Sequence, residues 1–183
     1  RAVPKRKLEF AAGRTAARQA MAEIGYPQTA VPMALDCSPI WPDGLTGSIT
    51  HCEDACIAVV APRHSIRSIG IDIEPDTPLD PDLEDVICTP SERAWLSTQP
   101  AEQRGYLGKL IFCAKESAYK ALYPLIRKLI GFEDMKVEFH LDAQKFQAFP
   151  RDGVRFQGVL SRSHGWLITA AMPECQTIKT DSD

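Results

Sequence analysis

What the chain lacks narrows the field first. Its six cysteines, Cys37, Cys52, Cys56, Cys88, Cys113 and Cys175, contain no Cys-x-x-Cys pair, and no second cluster answers Cys52 and Cys56. A zinc site is therefore not expected. Cysteines inside apolar runs, such as Cys113, are expected to act as small hydrophobes. No run of 18 apolar residues and no signal-peptide pattern occurs, so the expected setting is a reducing cytoplasm without membrane contact. Gly44 and Gly47 are not followed by the Gly-Lys-Ser/Thr of a phosphate loop, so Walker-type nucleotide binding is not expected. The net charge is −3 and no broad basic surface is evident, which argues against nucleic acid as the main partner. Long parallel βαβ repeats are also missing, which leaves α+β with antiparallel sheets as the expected fold class.

What is present suffices for a packed core. The 183 residues are 44% hydrophobic and 25% charged, which fits one domain or two small halves packed together. Basic residues gather at the start: Arg1, Lys5, Arg6, Lys7, Arg14 and Arg18 stand against one acid, Glu9. That reads either as an anion-binding helix or as a solvated basic face. The chain opens on Arg1 rather than Met, so it is expected to be part of a longer protein with sequence ahead of it.

Periodicity places the elements coarsely. Residues 6–24 predict a helix with Phe10, Gly13, Ala17, Met21 and Ile24 as its apolar stripe and Gly25 as its stop. Residues 26–46 read as irregular, and 56–61 as a short buried strand. Thr89-Pro90-Ser91-Glu92 is a helix start with a capping box. A longer helix is expected over about 103–123, ended or kinked by Pro124, with Leu125–Ile130 as a further turn. Residues 135–141, 154–160 and 166–172 alternate as strands, and the tail from Glu174 is expected to fray.

Three short stretches carry the chemistry. Ser68-Ile-Gly-Ile-Asp-Ile-Glu-Pro75 is a strand with Ile69, Ile71 and Ile73 on one face, so Asp72 and Glu74 share the other. Their roots lie roughly 6–7 Å apart, and two carboxylates so placed repel unless a cation sits between them. Hard oxygen ligands of this kind suit magnesium. In Phe112-Cys-Ala-Lys-Glu-Ser-Ala-Tyr-Lys120, Glu116 and Lys120 form an i, i+4 pair on one helix face. Gly47-Ser-Ile-Thr-His51 supplies a histidine. Together these suggest phosphoryl-type chemistry on an anionic substrate. Each has a plainer reading: a solvated strand face, a surface ion pair, a turn histidine. Val86, Ile87 and Leu96 read equally as a docking patch or as helix packing.

These stretches, in this order and spacing, resemble the 4′-phosphopantetheinyl transferase superfamily in its large single-chain form, the Sfp and EntD type. The Phe10-x-x-Gly13-Arg14-x-x-x-Arg18 helix and the Pro39-Ile-Trp-Pro42 run fit the same pattern, so the likeness spans roughly residues 6 to 172. The resemblance implies an α+β fold of two similar α/β halves, a pseudo-dimer with antiparallel sheets packed on helices. The halves are expected at 1–64 and 65–183, with coenzyme A in the cleft between them. It implies transfer of the phosphopantetheine arm of coenzyme A to a serine of an apo acyl or peptidyl carrier protein, with release of adenosine 3′,5′-bisphosphate. Fatty-acid and siderophore pathways use such carriers. By the same likeness Asp72, Glu74 and Glu116 are magnesium (Mg2+) ligands. Arg6, Arg14, Ser48, Thr50, His51 and Lys120 are coenzyme A contacts, and Glu116 and Lys120 are the catalytic pair. A monomer is implied, since the two halves already make the cleft.

Glu116 is the candidate to take the serine proton, a role that competes with metal ligation. Lys120 can serve the leaving oxygen as a cation or as a proton donor. One departure stands out: relatives often carry Lys or Arg just before the proline matching Pro39, and here that residue is Ser38. The 3′-phosphate contact is then expected from Arg6, Arg14 or Arg18. Two rival readings remain, a magnesium-dependent nuclease or phosphodiesterase and a non-catalytic module that binds coenzyme A or a carrier protein.

Overall fold

The computed structural model describes residues 4–52, 54–151 and 153–174. Beyond Glu174 the tail expected to fray lies outside the described residues, as do Arg1 and Cys175. The first helix, α1 (Pro4–Glu23), buries Gly13, Ala17 and Met21 at four-residue spacing. The ends of the expected stripe are not buried: Phe10 and Ile24 are exposed. Ile24 falls past the last helical residue, where the amides of Gly25 and Tyr26 fold back onto the carbonyls of Ala22 and Met21. Gly25 takes φ +78°, the left-handed turn that glycine makes without cost.

α1 lies over an antiparallel pair, β1 (Leu45–His51) and β2 (Cys56–Pro62). β1 was read as part of a motif and not as a strand, because its three hydroxyl residues and Gly47 hide the alternation. β2 differs from the buried strand expected, since most of its residues are only half-buried. It has β1 on one side only and one face under α1. Ala17, Met21, Val31 and Leu45 form the small core of this unit.

The second unit starts with β3 (Gly70–Pro75) and continues through α2 (Glu84–Ile87), α3 (Pro90–Ser97) and α4 (Ala101–Ile126). The chain returns as a meander, β4 (Met135–His140), β5 (Lys145–Pro150), β6 (Phe156–Ser163) and β7 (Trp166–Pro173). The strand order β3-β7-β6-β5-β4 puts β3 at an edge, and every pairing is antiparallel. The architecture is thus α+β, as expected: a long helix over an antiparallel sheet occurs twice, on two strands and on five. β5 was not foreseen, because Phe146 and Ala148 give too short an alternation before Pro150. The β6–β7 hairpin turns on His164 and Gly165, both at positive φ, as a two-residue primed turn requires.

Thr89 caps α3 with the full capping box anticipated. Glu92 does more than cap. Its carboxylate is buried, takes the amides of Thr89 and Val137 at 2.7 Å each, and pairs with Lys115 Nζ at 2.7 Å. Lys115 also donates to the carbonyls of Ile87 and Phe132. Ile87 and Leu96 are buried in the core, so their packing role holds, whereas Val86 is exposed. α4 runs on past Pro124, which sits in its last turn, and stops at Arg127 in the left-handed region with φ 53°. The further turn expected to Ile130 therefore ends at Ile126.

α4 lies close along β3. A Cβ at Gly70 would stand 1.9 Å from the Ser117 carbonyl oxygen, so only glycine lets the helix approach this near. Ser68 donates to the carbonyl of Ala121 and strengthens the same contact. That proximity sets the faces of β3 and α4 that make the site.

Candidate functional site

Alternation on β3 sends Asp72 away from the five-stranded core toward β1, and it is 3% exposed. Its Oδ1 accepts from Thr50 Oγ1 at 2.9 Å and from Lys120 Nζ at 2.6 Å. Lys120 also donates to Thr50 Oγ1 at 3.1 Å and lies 3.9 Å from Glu116 Oε2. Three segments remote in sequence, β1, β3 and α4, therefore meet at one ammonium. Ser48 closes the seam two residues earlier, where its hydroxyl accepts the Ile71 amide at 3.2 Å. Ser48 and Thr50 are both buried and engaged within the protein.

The other two carboxylates flank this centre. Burial, followed by repulsion from Asp72, pushes the Glu74 carboxyl up, while Lys109 at 3.4 Å pulls it back. Burial is also the main cause raising Glu116; Lys120 opposes it, and Asp72 and Glu74 add to it. Repulsion between Asp72 and Glu74 is the behaviour the strand spacing predicted. Lys109 was not singled out in the sequence. Its signal was there, seven residues before Glu116 on α4, yet that spacing is common on any helix.

The fit of a magnesium ion to this centre rests on the donors. Among the described residues no group of three His, Cys, Asp or Glu is gathered closely enough to hold a metal. Lys120 stands between Asp72 and Glu116, and Lys109 engages Glu74. The donors themselves are hard oxygens of the right kind. Asp72 Oδ2 is also buried with no hydrogen-bond partner, an expensive state that a cation would relieve. The residues fit the ion in chemistry and in this orphaned oxygen.

Beside Lys120 opens a cleft of about 410 Å3 between the two units. Trp41, Ser48, Tyr119, Lys120, Tyr123 and Arg127 are on its walls. Tyr123 and Arg127 were not foreseen, because they lie beyond the Glu116–Lys120 motif on the same helix face.

The remaining expected contacts are dispersed. His51 Nε2 lies 4.0 Å from Glu9 Oε2, and Arg6 Nη1 lies 3.8 Å from the same oxygen, so Glu9 joins these two. Arg14 is elsewhere. Its Nε donates to the Val31 carbonyl at 2.6 Å and its guanidinium covers the Phe10 ring at 4.4 Å. It borders a separate groove with Val31 and Pro32, away from Lys120. The structure therefore brings Ser48, Thr50, Asp72, Glu116 and Lys120 together, with Glu74 beside them, and leaves Arg14 apart.

Comparison with known proteins shows the family. Residues 1–61 match the 4′-phosphopantetheinyl transferase N-terminal domain, and residues 68–171 match the 4′-phosphopantetheinyl transferase superfamily. The chain belongs to the 4′-phosphopantetheinyl transferase superfamily. Its relatives place it with the Sfp and EntD type. It is 41% identical to the 4′-phosphopantetheinyl transferase Npt of Nocardia iowensis over 78% of this chain and 63% of that one. It is 37% identical to the 4′-phosphopantetheinyl transferase Svp of Streptomyces mobaraensis over 93% of this chain and 73% of that one. It is 42% identical to enterobactin synthase component D of Escherichia coli over 73% of this chain and 62% of that one. The chain thus spans about 63% of the length of the Nocardia transferase. The two matched regions of the superfamily meet in this structure at the β1–β3 seam, where Ser48 and Thr50 from one touch Ile71 and Asp72 of the other.

Proposed function

We propose that this chain transfers the 4′-phosphopantetheine arm of coenzyme A to a serine of an apo acyl or peptidyl carrier protein, releasing adenosine 3′,5′-bisphosphate. The observation that carries the reading is the Lys120 ammonium held by Asp72 and Thr50, with Glu116 at 3.9 Å, on the floor of a cleft wide enough for a nucleotide. In the reaction the serine oxygen bonds to the phosphorus that bears pantetheine. The bond from that phosphorus to the bridging oxygen breaks, and its electron pair leaves with the bisphosphate. Glu116, made more basic by burial, takes the serine proton. Lys120 faces the charge that develops on the leaving oxygen. Asp72 and Thr50 keep Lys120 aimed there.

Magnesium, held by Asp72, Glu74 and Glu116, would neutralise charge on the pyrophosphate. Arg6 and His51 supply further donors for the phosphates on the α1 side. Residues 1–64 and 65–183 act as the two halves of the cleft within a monomer that works in the cytoplasm. The carriers are those of fatty-acid or siderophore assembly.

The test is the intact mass of an apo carrier protein after incubation with this protein, coenzyme A and magnesium. A gain of one phosphopantetheine, abolished by EDTA, is expected. Coenzyme A binding without any gain on acyl or peptidyl carriers would make the chain a binding module and overturn the reading.

A further inference from the structure

At the end of the cleft away from Asp72, a carboxylate of the chain is held the way a phosphate is held. Asp36 accepts from the Tyr123 hydroxyl at 2.6 Å, from the Ser38 hydroxyl at 2.6 Å, from the Ser38 amide at 3.0 Å and from Arg127 Nη1 at 3.5 Å. Arg127 also reaches Ser38 Oγ at 3.4 Å. Two hydroxyls, one backbone amide and a guanidinium on a single anion make a donor set suited to phosphate oxygens. Among the described residues on the cleft walls Asp36 is the one acid, against Arg63, Lys120 and Arg127.

The backbone adds a second, independent observation. Arg127 ends α4 at φ 53°, where helices usually place glycine. Cys37, on the facing loop, stands at φ 66°. Both border the cleft. Side chains in the left-handed region are strained, and such strain gathers at ligand clamps. The Arg127 side chain is not spent on capping the helix. Its amide does that, on the Tyr123 carbonyl, while the guanidinium crosses to Ser38 and Asp36.

Spacing along α4 completes the picture. Glu116, Lys120, Tyr123 and Arg127 recur at intervals of four, three and four, which keeps them on one face. Seven residues separate Lys120 from Arg127, roughly 10 Å along the helix at 1.5 Å per residue. The cleft therefore has a cation at each end, and a nucleotide with a pyrophosphate on one side of its ribose and a monoester on the other matches that layout.

We propose that Arg127, Tyr123 and Ser38 form a second anion seat that takes the ribose 3′-phosphate of the nucleotide, with Arg127 as the residue that discriminates for that phosphate and Asp36 as the anion it displaces. This rests on the coenzyme A reading above.

The experiment compares equilibrium binding of coenzyme A and of 3′-dephospho-coenzyme A to the full chain, in buffer with magnesium. Arg127→Gly removes the cation while relaxing the left-handed residue, so its melting temperature should equal or exceed that of the wild type. Its affinity for coenzyme A should fall about tenfold, and its affinity for the dephospho compound by less than twofold. Arg127→Lys should keep part of the discrimination. Equal loss for both ligands, or no loss for either, overturns the proposal. Asp36→Asn should bind coenzyme A at least as tightly as wild type. Weaker binding would make Asp36 a structural clasp and overturn the displacement. If the wild-type protein binds coenzyme A and Arg127→Gly keeps the wild-type preference for coenzyme A over the dephospho compound, this proposal alone fails. If the wild type binds neither ligand, the coenzyme A reading fails with it.

Discussion

Glu116 shows how position alone can shift a carboxyl. It is largely covered, it faces Asp72 and Glu74, and Lys120 offsets its charge. Its carboxyl is consequently raised above the ordinary glutamate value. The sign for stability follows from that direction. A group whose folded-state pKa is raised favours the fold below its unfolded pKa and loses that contribution as pH rises through the folded value. In EDTA, wild-type stability should thus decline as pH climbs from the ordinary carboxylate range toward neutrality. Glu116→Gln should flatten part of that decline, measured by thermal melts across pH. The same substitution should lower transfer by about 100-fold or more, the scale of a lost general base. Wild-type rates in Glu116→Gln would remove it from the chemistry. Asp72→Ala should also abolish transfer, because Lys120 loses its 2.6 Å partner; an unchanged rate would dissociate that pair from catalysis.

At the scale of elements, α4 depends on two buried features outside the side chains of the candidate site. One is the Lys115–Glu92 pair, in which Glu92 also accepts the amides of Thr89 and Val137 and Lys115 also donates to the carbonyls of Ile87 and Phe132. Removing one partner strands a buried charge, which costs about 3–5 kcal/mol. Lys115→Ala should therefore lower the urea midpoint strongly, and a small shift would show that the network is dispensable. The other is Gly70. Gly70→Ala would press a methyl into the Ser117 carbonyl and the Ala121 amide. Overpacking of this kind costs about 1–3 kcal/mol. It should also lower transfer, because Lys120 rides on the displaced turn; full activity with reduced stability would uncouple the two.

Across the whole molecule, the two units join by side chains and not by a continuous sheet. Ser48 to Ile71 and Thr50 to Asp72 stitch β1 to β3, although the sheets remain separate. Each unit has its own core. Ser48→Ala should cost about 1 kcal/mol, the net value of one hydrogen bond, more where the Ile71 amide stays buried and unpaired. It should lower the unfolding midpoint while the denaturant slope stays fixed. A second transition in place of one shifted transition would mean that the seam sets cooperativity.

Local pattern was enough for the long helices and β3, and for placing Asp72 with Glu74 on one strand face and Glu116 with Lys120 on one helix face. Strand alternation and the i, i+4 spacing act between residues a few positions apart, so the chain reveals them directly. The capping box at Thr89 and the stop at Gly25 are legible for the same reason. β1 and β5 were hidden, since hydroxyl-rich or very short segments become strands through what covers them. The partners of Lys120 come from residues 48 and 70 positions away, and those of Asp36 from 87 and 91 positions away. No periodicity links such residues. Only the packing of α4 against Gly70, and of β1 against β3, decided that Thr50 would share Lys120 with Asp72 and that Arg127 would face Ser38.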